Sequence, residues 1–156
     1  MPSIVSQIVE VFVFRFRETR PEYLLLKRSR TDVLYPGIWQ IVTGTLNDGE
    51  HAVDGALREL REETSLLPDR LWTVPHVVLF YDRGADAINI NPLFAVQVSG
   101  TAEPLLSIEH EKFMWVPADE AARLLVWPAQ REALGVVERS IAAGEQAMGV
   151  SEIPLR

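Results

Sequence analysis

Three glutamates lie close together in the stretch GTLNDGEHAVDGALRELREETSL, which runs from Gly44 to Leu66. Glu59, Glu62 and Glu63 fall within five positions, and a helix would place them on one face because residues i, i+3 and i+4 share a side. At ~6 Å and an effective dielectric of ~20, each pair of like charges costs roughly 3 kcal/mol. Hard cations such as Mg²⁺ prefer carboxylate and carbonyl oxygens and would remove this repulsion. The spacing therefore predicts a metal site.

The residues around the glutamates fit a helix that docks on a sheet. The predicted helix covers 51–64, and Gly55 lies one turn above the carboxylates. A glycine inside a helix costs ~1 kcal/mol relative to alanine, and here it would leave room beside the acids. A solvated acidic face is the alternative, but it explains less well why the acids cluster unpaired. The adjoining apolar stripe, which can pack on a sheet, consists of Val53, Ala56, Leu57 and Leu60.

Apolar runs separated by turn residues predict the strands that position this helix. They occupy 7–16, 23–28, 39–44, 74–81, 88–98 and 112–116, with the turn TRPE between the first two. Further helices are predicted over 118–126 and 128–146, the second with Pro128 at its first position. The pattern indicates one mixed α/β domain over residues 1–150, followed by a loose tail over 151–156.

Composition narrows the classes of function. A chain of 156 residues with a net charge of −7 fits one domain and lacks the basic footprint of a protein that binds nucleic-acid polymers. No apolar run is long enough to cross a bilayer. With no cysteine there is no disulfide, thiolate metal site or cysteine nucleophile. We therefore expect a cytoplasmic protein that acts on a small molecule, with no membrane partner; a homodimer stays open.

The spacing of the acidic stretch resembles a known family motif. Gly44, Glu50 and the run Arg58–Leu66 (RELREETSL) match the Nudix box, G-x5-E-x7-R-E-U-x-E-E-x-G-U, where U is a bulky aliphatic residue. The one departure is Ser65, which stands where the box has its last glycine and which concerns the local turn rather than the chemistry. The resemblance implies an α/β/α sandwich with a mixed β-sheet and a catalytic loop–helix–loop. It also implies Mg²⁺, with Mn²⁺ as a substitute, and hydrolysis of a diphosphate linked to another moiety.

Roles for individual residues come with this resemblance. Arg58 and Glu50 match the pair whose contact holds the helix and the loop together, with Arg58 also steering a neighbouring glutamate. Arg58, Glu59 and Glu62 are counted with the catalytic residues. The implied metal ligands in the box are Gly44, through its backbone carbonyl, and Glu59, Glu62 and Glu63.

The general base is left open between a glutamate of the box and an acid on a later loop. The segment SIEHEKFMWV offers Glu109 and Glu111. In the branch of the family that this segment resembles, the glutamate before the histidine joins the metal site, which favours Glu109 as a ligand and catalytic residue. His110 is interpreted as a supporting loop residue rather than a base.

That branch contains the dihydroneopterin triphosphate and dATP pyrophosphohydrolases, and WQIVTG and WPAQREAL extend the resemblance. It implies cleavage of a nucleoside or pterin triphosphate to a monophosphate and pyrophosphate. A hydrolase of dinucleoside polyphosphates or of ADP-ribose, and a nucleotide-sensing module without catalysis, are the alternatives. The predicted substrate-binding residues are Arg28, Trp39, Gln40 and Tyr81.

Overall fold

A computed structural model describes all residues of the chain, 1–156. Its four helices are α1 (Ala52–Thr64), α2 (Ala118–Leu124), α3 (Pro128–Ala142) and α4 (Glu145–Ser151). None of them is long and apolar enough to cross a bilayer. The strands are β1 (Ser3–Val5), β2 (Ile8–Arg17), β3 (Arg20–Arg28), β4 (Trp39–Gln40), β5 (Val42–Thr45), β6 (Arg70–Asp82), β7 (Ala87–Gln97), β8 (His110–Val116) and β9 (Glu152–Ile153).

All nine strands belong to one sheet with the main order β4-β3-β2-β7-β6-β9. The central pair β2 and β7 is parallel, as is the pair β1 and β7, while the remaining pairs are antiparallel. Strand β5 pairs with the first half of β2, and β8 pairs with β3. The predicted mixed sheet is therefore confirmed.

Helices cover both faces of the sheet. Strand β2 shows this, because its apolar side chains alternate between the two faces. Val9, Val11 and Val13 pack with Leu60 of α1 on one face. Phe12 and Phe14 point to the opposite face, which α2 and α3 cover. We call these the α1 face and the α3 face. Helix, sheet and helix form the three layers of the predicted α/β/α sandwich.

Several element boundaries differ from the prediction because of local turns. The β2–β3 hairpin turns at Glu18, with φ 57°, and Thr19, so the rest of the predicted turn TRPE lies inside β3. The strand predicted over 39–44 is divided at Ile41 into β4 and β5. The helix predicted over 128–146 ends at Ala142, because Gly144 adopts φ 86° and α4 begins after it.

The segment 151–156 differs from the loose tail that we predicted. Glu152 and Ile153 pair with β6, and the Arg70 guanidinium donates to both carboxylate oxygens of Glu152 at 2.9 Å. The same guanidinium stacks on the Trp72 ring, 4.8 Å from its centroid. This end is anchored by a short strand at the sheet edge and by an ion pair between residues 82 positions apart. Neither contact could be predicted, because six residues are too few to show a periodic pattern.

Helix α1 ends at Ser65, which has φ 57° and donates its backbone N–H to the Arg61 carbonyl. This left-handed backbone is the conformation for which the box has a glycine, and an L-residue pays roughly 1 kcal/mol or more to adopt it. The site tolerates serine because the turn is closed by that backbone hydrogen bond.

We predict that Ser65→Gly raises the free energy of unfolding by about 1 kcal/mol, because glycine relieves the left-handed backbone. Urea titration followed by circular dichroism measures the change. Ser140→Gly inside α3 is the matched control and should lower stability by about 0.5 kcal/mol. Equal destabilisation by both variants would contradict the assignment of strain to Ser65.

Candidate metal and catalytic site

Helix α1 presents the three box glutamates to different environments. Glu63 is 2% exposed and Glu59 9% exposed, whereas the Glu62 side chain is 58% exposed. Glu59 and Glu63 therefore face the sheet, where the helix packs against β5 and β2. At Gly44 of β5 a Cβ would lie 1.8 Å from the Glu59 carboxyl carbon, so only glycine admits Glu59 at this position.

The Arg58 guanidinium holds the helix and the preceding loop together. It donates to both oxygens of Glu50 at 2.8 Å, to Glu59 Oε1 at 2.6 Å, to Glu62 Oε2 at 3.0 Å and to the Thr45 carbonyl at 2.9 Å. Arginine has five N–H donors, and all five are used. The predicted contact between Arg58 and Glu50 is present, and its hydrogen bonds lower the pKa of Glu50 to about 2. The same contacts raise the pKa of Arg58.

The loop between β5 and α1 is shaped for this contact. Glu50 Oε2 accepts the Asn47 backbone N–H at 2.9 Å, which orients the carboxylate toward Arg58. At Gly55 a Cβ would lie 2.3 Å from Leu46 Cδ2 and 3.2 Å from Glu50 Oε2. The glycine predicted to leave room beside the carboxylates thus makes room for the loop that carries Glu50.

Glu63 is the electrostatically exceptional group of the site. Neither of its carboxylate oxygens has a hydrogen-bond partner, although both are buried. Burial raises the pKa of Glu63 well above its ordinary value, and the nearby charges of Glu59 and Glu109 raise it further, while the nearby Thr43 backbone and the charge of Arg28 oppose the shift. Burial likewise raises the pKa of Glu59, and the bond from Arg58 opposes that shift. A buried acid with free oxygens beside two other acids is a site for positive charge.

A second loop brings Glu109 to the end of the helix. The Leu105 backbone N–H donates to the Thr64 carbonyl at 2.8 Å, and that of Ser107 donates to the Glu63 carbonyl at 3.2 Å. The Glu109 carbonyl accepts the Ser29 backbone N–H at 2.9 Å. The last carbonyls of α1 are thereby satisfied by the loop itself, so the position of Glu109 depends on the end of the helix.

The neighbours of Glu109 have other contacts. Glu111 forms ion pairs with Lys27 at 3.5 Å and Arg30 at 3.7 Å, whereas Glu109 forms none. His110 is buried, and its Nε2 lies 3.0 Å from the amide nitrogen of Gln40. Burial and the charge of Arg28 lower the pKa of His110 to about 4, so the ring is neutral near pH 7.

The residues predicted to bind substrate fall on different parts of the sheet. Gln40 lies on the α1 face and is engaged by His110, while Trp39 packs on the α3 face with the Lys27 ammonium 5.9 Å from its ring centroid. Arg28 bonds to Asp32 and donates to the Leu34 carbonyl, holding the loop after β3. It is close enough to Glu63 for its charge to lower that pKa slightly.

Tyr81 is not brought together with the carboxylates. It lies near the tip of the β6–β7 hairpin, 56% exposed, and donates its hydroxyl to Asp86 at 2.8 Å. The register pairs it with Ile88, which precedes the part of β7 that lies beside β2. The hairpin extends beyond the central strands, and sequence position alone did not reveal that.

The residues present fit a divalent cation, although no three acidic or histidine side chains converge on one point. Arg58 holds Glu59 Oε1, and Glu63 has two free, buried oxygens. Carboxylates and a backbone carbonyl are the oxygen donors that Mg²⁺ and Mn²⁺ take. The residues that would hold the cation are Gly44, Glu59, Glu62, Glu63 and Glu109.

One buried polar cluster contains none of the residues predicted from the sequence. Glu10 is 3% exposed in β2 and accepts hydrogen bonds from the amides of Asn91 and Gln130, both at 2.8 Å. Burial raises the pKa of Glu10, and the two amide bonds oppose the shift. The available signal was a lone acid within the apolar run IVEVFVF, at a position whose neighbours two residues on face the core.

The chain belongs to the Nudix family, because the model of the NUDIX domain matches residues 7–135. That range includes every box residue described above and ends within α3. The geometry of the loop–helix–loop and the family match agree on the same carboxylate helix.

Curated relatives are matched over only part of their lengths. An octanoyltransferase of Myxococcus xanthus is 35% identical over 132 residues, which cover 80% of this chain and 34% of that protein. The oxidized purine nucleoside triphosphate hydrolase of Mus musculus is 32% identical over 92 residues, covering 59% of this chain and 57% of the mouse protein. The chain thus spans about a third to about half the length of these two relatives.

Solved structures share the fold over nearly the whole chain. An Ap4A hydrolase of C. elegans in a binary complex superimposes with a TM-score of 0.77 at 19% identity, covering 89% of this chain and 99% of that one. The dihydroneopterin triphosphate pyrophosphohydrolase of E. coli gives a TM-score of 0.68 at 25% identity, covering 86% of this chain and 99% of that one.

We predict that Glu63→Gln raises the melting temperature of the metal-free protein at pH 8, because the neutral amide removes the cost of burying a charged carboxylate. The folded chain holds the Glu63 proton more tightly than the unfolded chain. Stability from this carboxyl is therefore full below its ordinary pKa of 4.5 and is lost as the pH rises through the raised folded pKa. The advantage of glutamine should shrink toward pH 5.

Thermal unfolding in EDTA at pH 5 and pH 8 measures this difference. Glu62→Gln is the matched control, because Glu62 is exposed and already bonded to Arg58, and it should bring no gain. A lower melting temperature for Glu63→Gln at pH 8 would contradict the destabilising charge.

Proposed function

We propose that the chain is a Mg²⁺-dependent Nudix pyrophosphohydrolase that cleaves a nucleoside or pterin triphosphate to the monophosphate and pyrophosphate. The observation that carries the proposal is Glu63, a buried carboxylate with no partner, beside Glu59 and Glu109. An unpaired buried carboxylate is typical of a functional site in which a bound cation supplies the compensating positive charge. The similarity to the E. coli and mouse triphosphate hydrolases supports the substrate class.

Different residues of the chain bind the metal and orient its ligands during phosphoryl transfer. When bound, the cation would neutralise phosphate oxygens and lower the pKa of a water molecule. Glu59 and Glu63 on α1 would hold that cation, and Gly44 of β5 would add its backbone carbonyl. Arg58 orients Glu59 and Glu62 and touches no substrate.

Glu109 is the better supported proton acceptor for the attacking water. Its side chain has no ion pair, while Glu111 is engaged by two basic residues. Its charge acts on both Glu59 and Glu63, so it faces the same space. Hydrolysis then forms a bond from water oxygen to phosphorus, breaks the bridging P–O bond, and leaves the water proton on Glu109.

Octanoyl transfer is not assigned to this chain, because the match to the Myxococcus protein covers only 34% of it. A nucleotide-sensing module without catalysis is less well supported, because all three box glutamates are present and Glu63 remains without a partner.

Arg58→Lys should lower turnover by roughly 10- to 100-fold while the Michaelis constant changes by only a few-fold. Lysine keeps the positive charge but cannot make five hydrogen bonds from one plane. Steady-state kinetics with a hydrolysed triphosphate and Mg²⁺ separates the two constants. Arg61→Lys, on an exposed side of the same helix, is the control and should match the parent. Unchanged turnover with a much higher Michaelis constant would make Arg58 a substrate contact.

A substrate panel in ¹⁸O-labelled water tests the reaction itself. Nucleoside triphosphates, dihydroneopterin triphosphate, dinucleoside polyphosphates and ADP-ribose are incubated with Mg²⁺ or EDTA, and products are identified by mass spectrometry. We expect pyrophosphate and a monophosphate from a triphosphate, only with the metal. Glu63→Gln should lose activity by orders of magnitude and controls for contaminating hydrolases. Orthophosphate as the sole phosphate product, or turnover of dinucleoside polyphosphates alone, would overturn the proposal.

A further inference from the structure

The outer edge of β6 has no strand neighbour near the tip of the β6–β7 hairpin. Strand β9 pairs with β6 only at Leu71 and Trp72, whereas β7 pairs with the inner edge as far as Asp82. Residues 76–82 of β6 are therefore paired on one side only. Because half of the backbone groups of an antiparallel strand point away from its neighbour, this edge presents N–H and C=O groups to a further strand.

The side chains of this open edge are apolar. Residues 77–81 (VVLFY) contain no charge and no proline. Folded proteins protect open edges with lysines, prolines or bulges, and here Pro75 and the bulge before Val77 interrupt only the part of β6 nearer to β9. Such an edge is suited to pairing with another strand. Four of its side chains are exposed, namely Val77 (44%), Leu79 (56%), Phe80 (41%) and Tyr81 (56%).

The sequence of the edge is complementary to itself in an antiparallel pairing. A two-fold axis at Leu79 places Val77 opposite Tyr81 of a second copy, and Val78 opposite Phe80. Both are pairs of a β-branched and an aromatic residue, which stabilise antiparallel sheets. Each pair occurs twice because of the symmetry, and the two Leu79 side chains meet on the axis.

The charged groups of the edge fit the same register. His76 lies opposite Asp82 of the second copy, and neither residue has an ion pair within its own chain. Asp82 Oδ1 accepts the backbone N–H groups of Gly84 and Ala85 at 2.7 and 3.2 Å. The other carboxylate oxygen of Asp82 is thus left for the imidazole of the second copy.

Neighbouring registers lack this match. Moving the axis to Val78 places Asp82 opposite Val74, and moving it to Phe80 places Asp82 opposite Val78. An axis between two residues would set outward-pointing backbone groups opposite inward-pointing ones. Complementarity therefore selects the axis at Leu79, and it selects a second copy of this chain as the occupant of the edge.

The size and charge of the interface favour a weak dimer. Residues 76–82 of the two copies would remove about 1,000 Å² from solvent in total, which is the lower limit for a specific interface. The chain has a net charge of −7, whereas this segment carries one carboxylate and one imidazole. The two copies would therefore meet where like charges are sparse.

We propose that two copies of the chain join the outer edges of their β6 strands and form one continuous sheet with a two-fold axis at Leu79. Strands β7 and β2 separate this edge from β5, so each copy keeps its own carboxylate site. The dimer goes beyond the proposed function and does not depend on it.

Sedimentation equilibrium of the full chain measures the association. We expect a mass that rises with concentration to twice that of one chain and no further, with a dissociation constant of about 1–100 µM. Leu79→Lys sets two like charges opposite each other on the axis and should weaken association at least tenfold. Ile4→Lys is the matched control and should keep the parent constant, because Ile4 is exposed in β1, at the opposite edge of the same hairpin.

Disulfide crosslinking tests the register directly, because the chain has no cysteine. With a copper–phenanthroline oxidant, the Leu79→Cys variant alone should form a covalent dimer. The Val77→Cys and Tyr81→Cys variants should crosslink when mixed and not when separate, since these two positions face each other across the axis. Ile4→Cys should form no covalent dimer. These crosslinks carry the test should thermal unfolding show that Leu79→Lys does not fold.

Three results would overturn the proposal. One is the mass of a single chain at the highest soluble concentration, with no crosslink from Leu79→Cys. Another is association that Ile4→Lys abolishes and Leu79→Lys does not, which would indicate packing through the sheet face. The third is growth beyond two copies, which would indicate an open head-to-tail contact. Hydrolysis of triphosphates bears on none of them.

Discussion

The site depends on one guanidinium group whose five N–H donors are all engaged. Arg58 joins the loop carboxylate Glu50, the helix carboxylates Glu59 and Glu62, and a carbonyl at the end of β5. Its positive charge offsets part of the repulsion between acids on one helix face, and its planar geometry fixes their directions. Without it, the loop and helix would have no shared anchor, and Glu59 would lose the bond that opposes its raised pKa.

Arg58 forms no hydrogen bond with Glu63, so the charge of this carboxylate is not neutralised by the arginine. The acid stays buried between the sheet and two other carboxylates with both oxygens free. Burying an unpaired carboxylate lowers the free energy of unfolding, so the packing of the rest of the sandwich must offset that cost. The glycines at 44 and 55 serve the same end, since each admits a side chain to a space that a Cβ would fill.

Features that depend on local spacing were predictable from the sequence. The helix, its acidic face, the Arg58–Glu50 contact and the mixed sheet all follow from periodicity or from the box, and the structure has them. Contacts between distant segments were not. The role of Glu10 could not be predicted, because its partners lie 81 and 120 residues away in the sequence. Tyr81 was misplaced because the reach of a hairpin beyond its neighbours is set by register, and the final residues were misjudged because Arg70 anchors them.

The parallel pairing of β2 with β7 has a consequence for how the molecule assembles. The carboxylate helix and its loop come from one continuous stretch, so their contacts span few residues and can form early. The Glu10 cluster requires β2, β7 and α3 to meet, and the entropy of closing those long loops must be overcome before any of its bonds form. The acids of α1 would therefore be positioned before the Glu10 cluster, which a chain emerging from synthesis can complete only after α3 has been made.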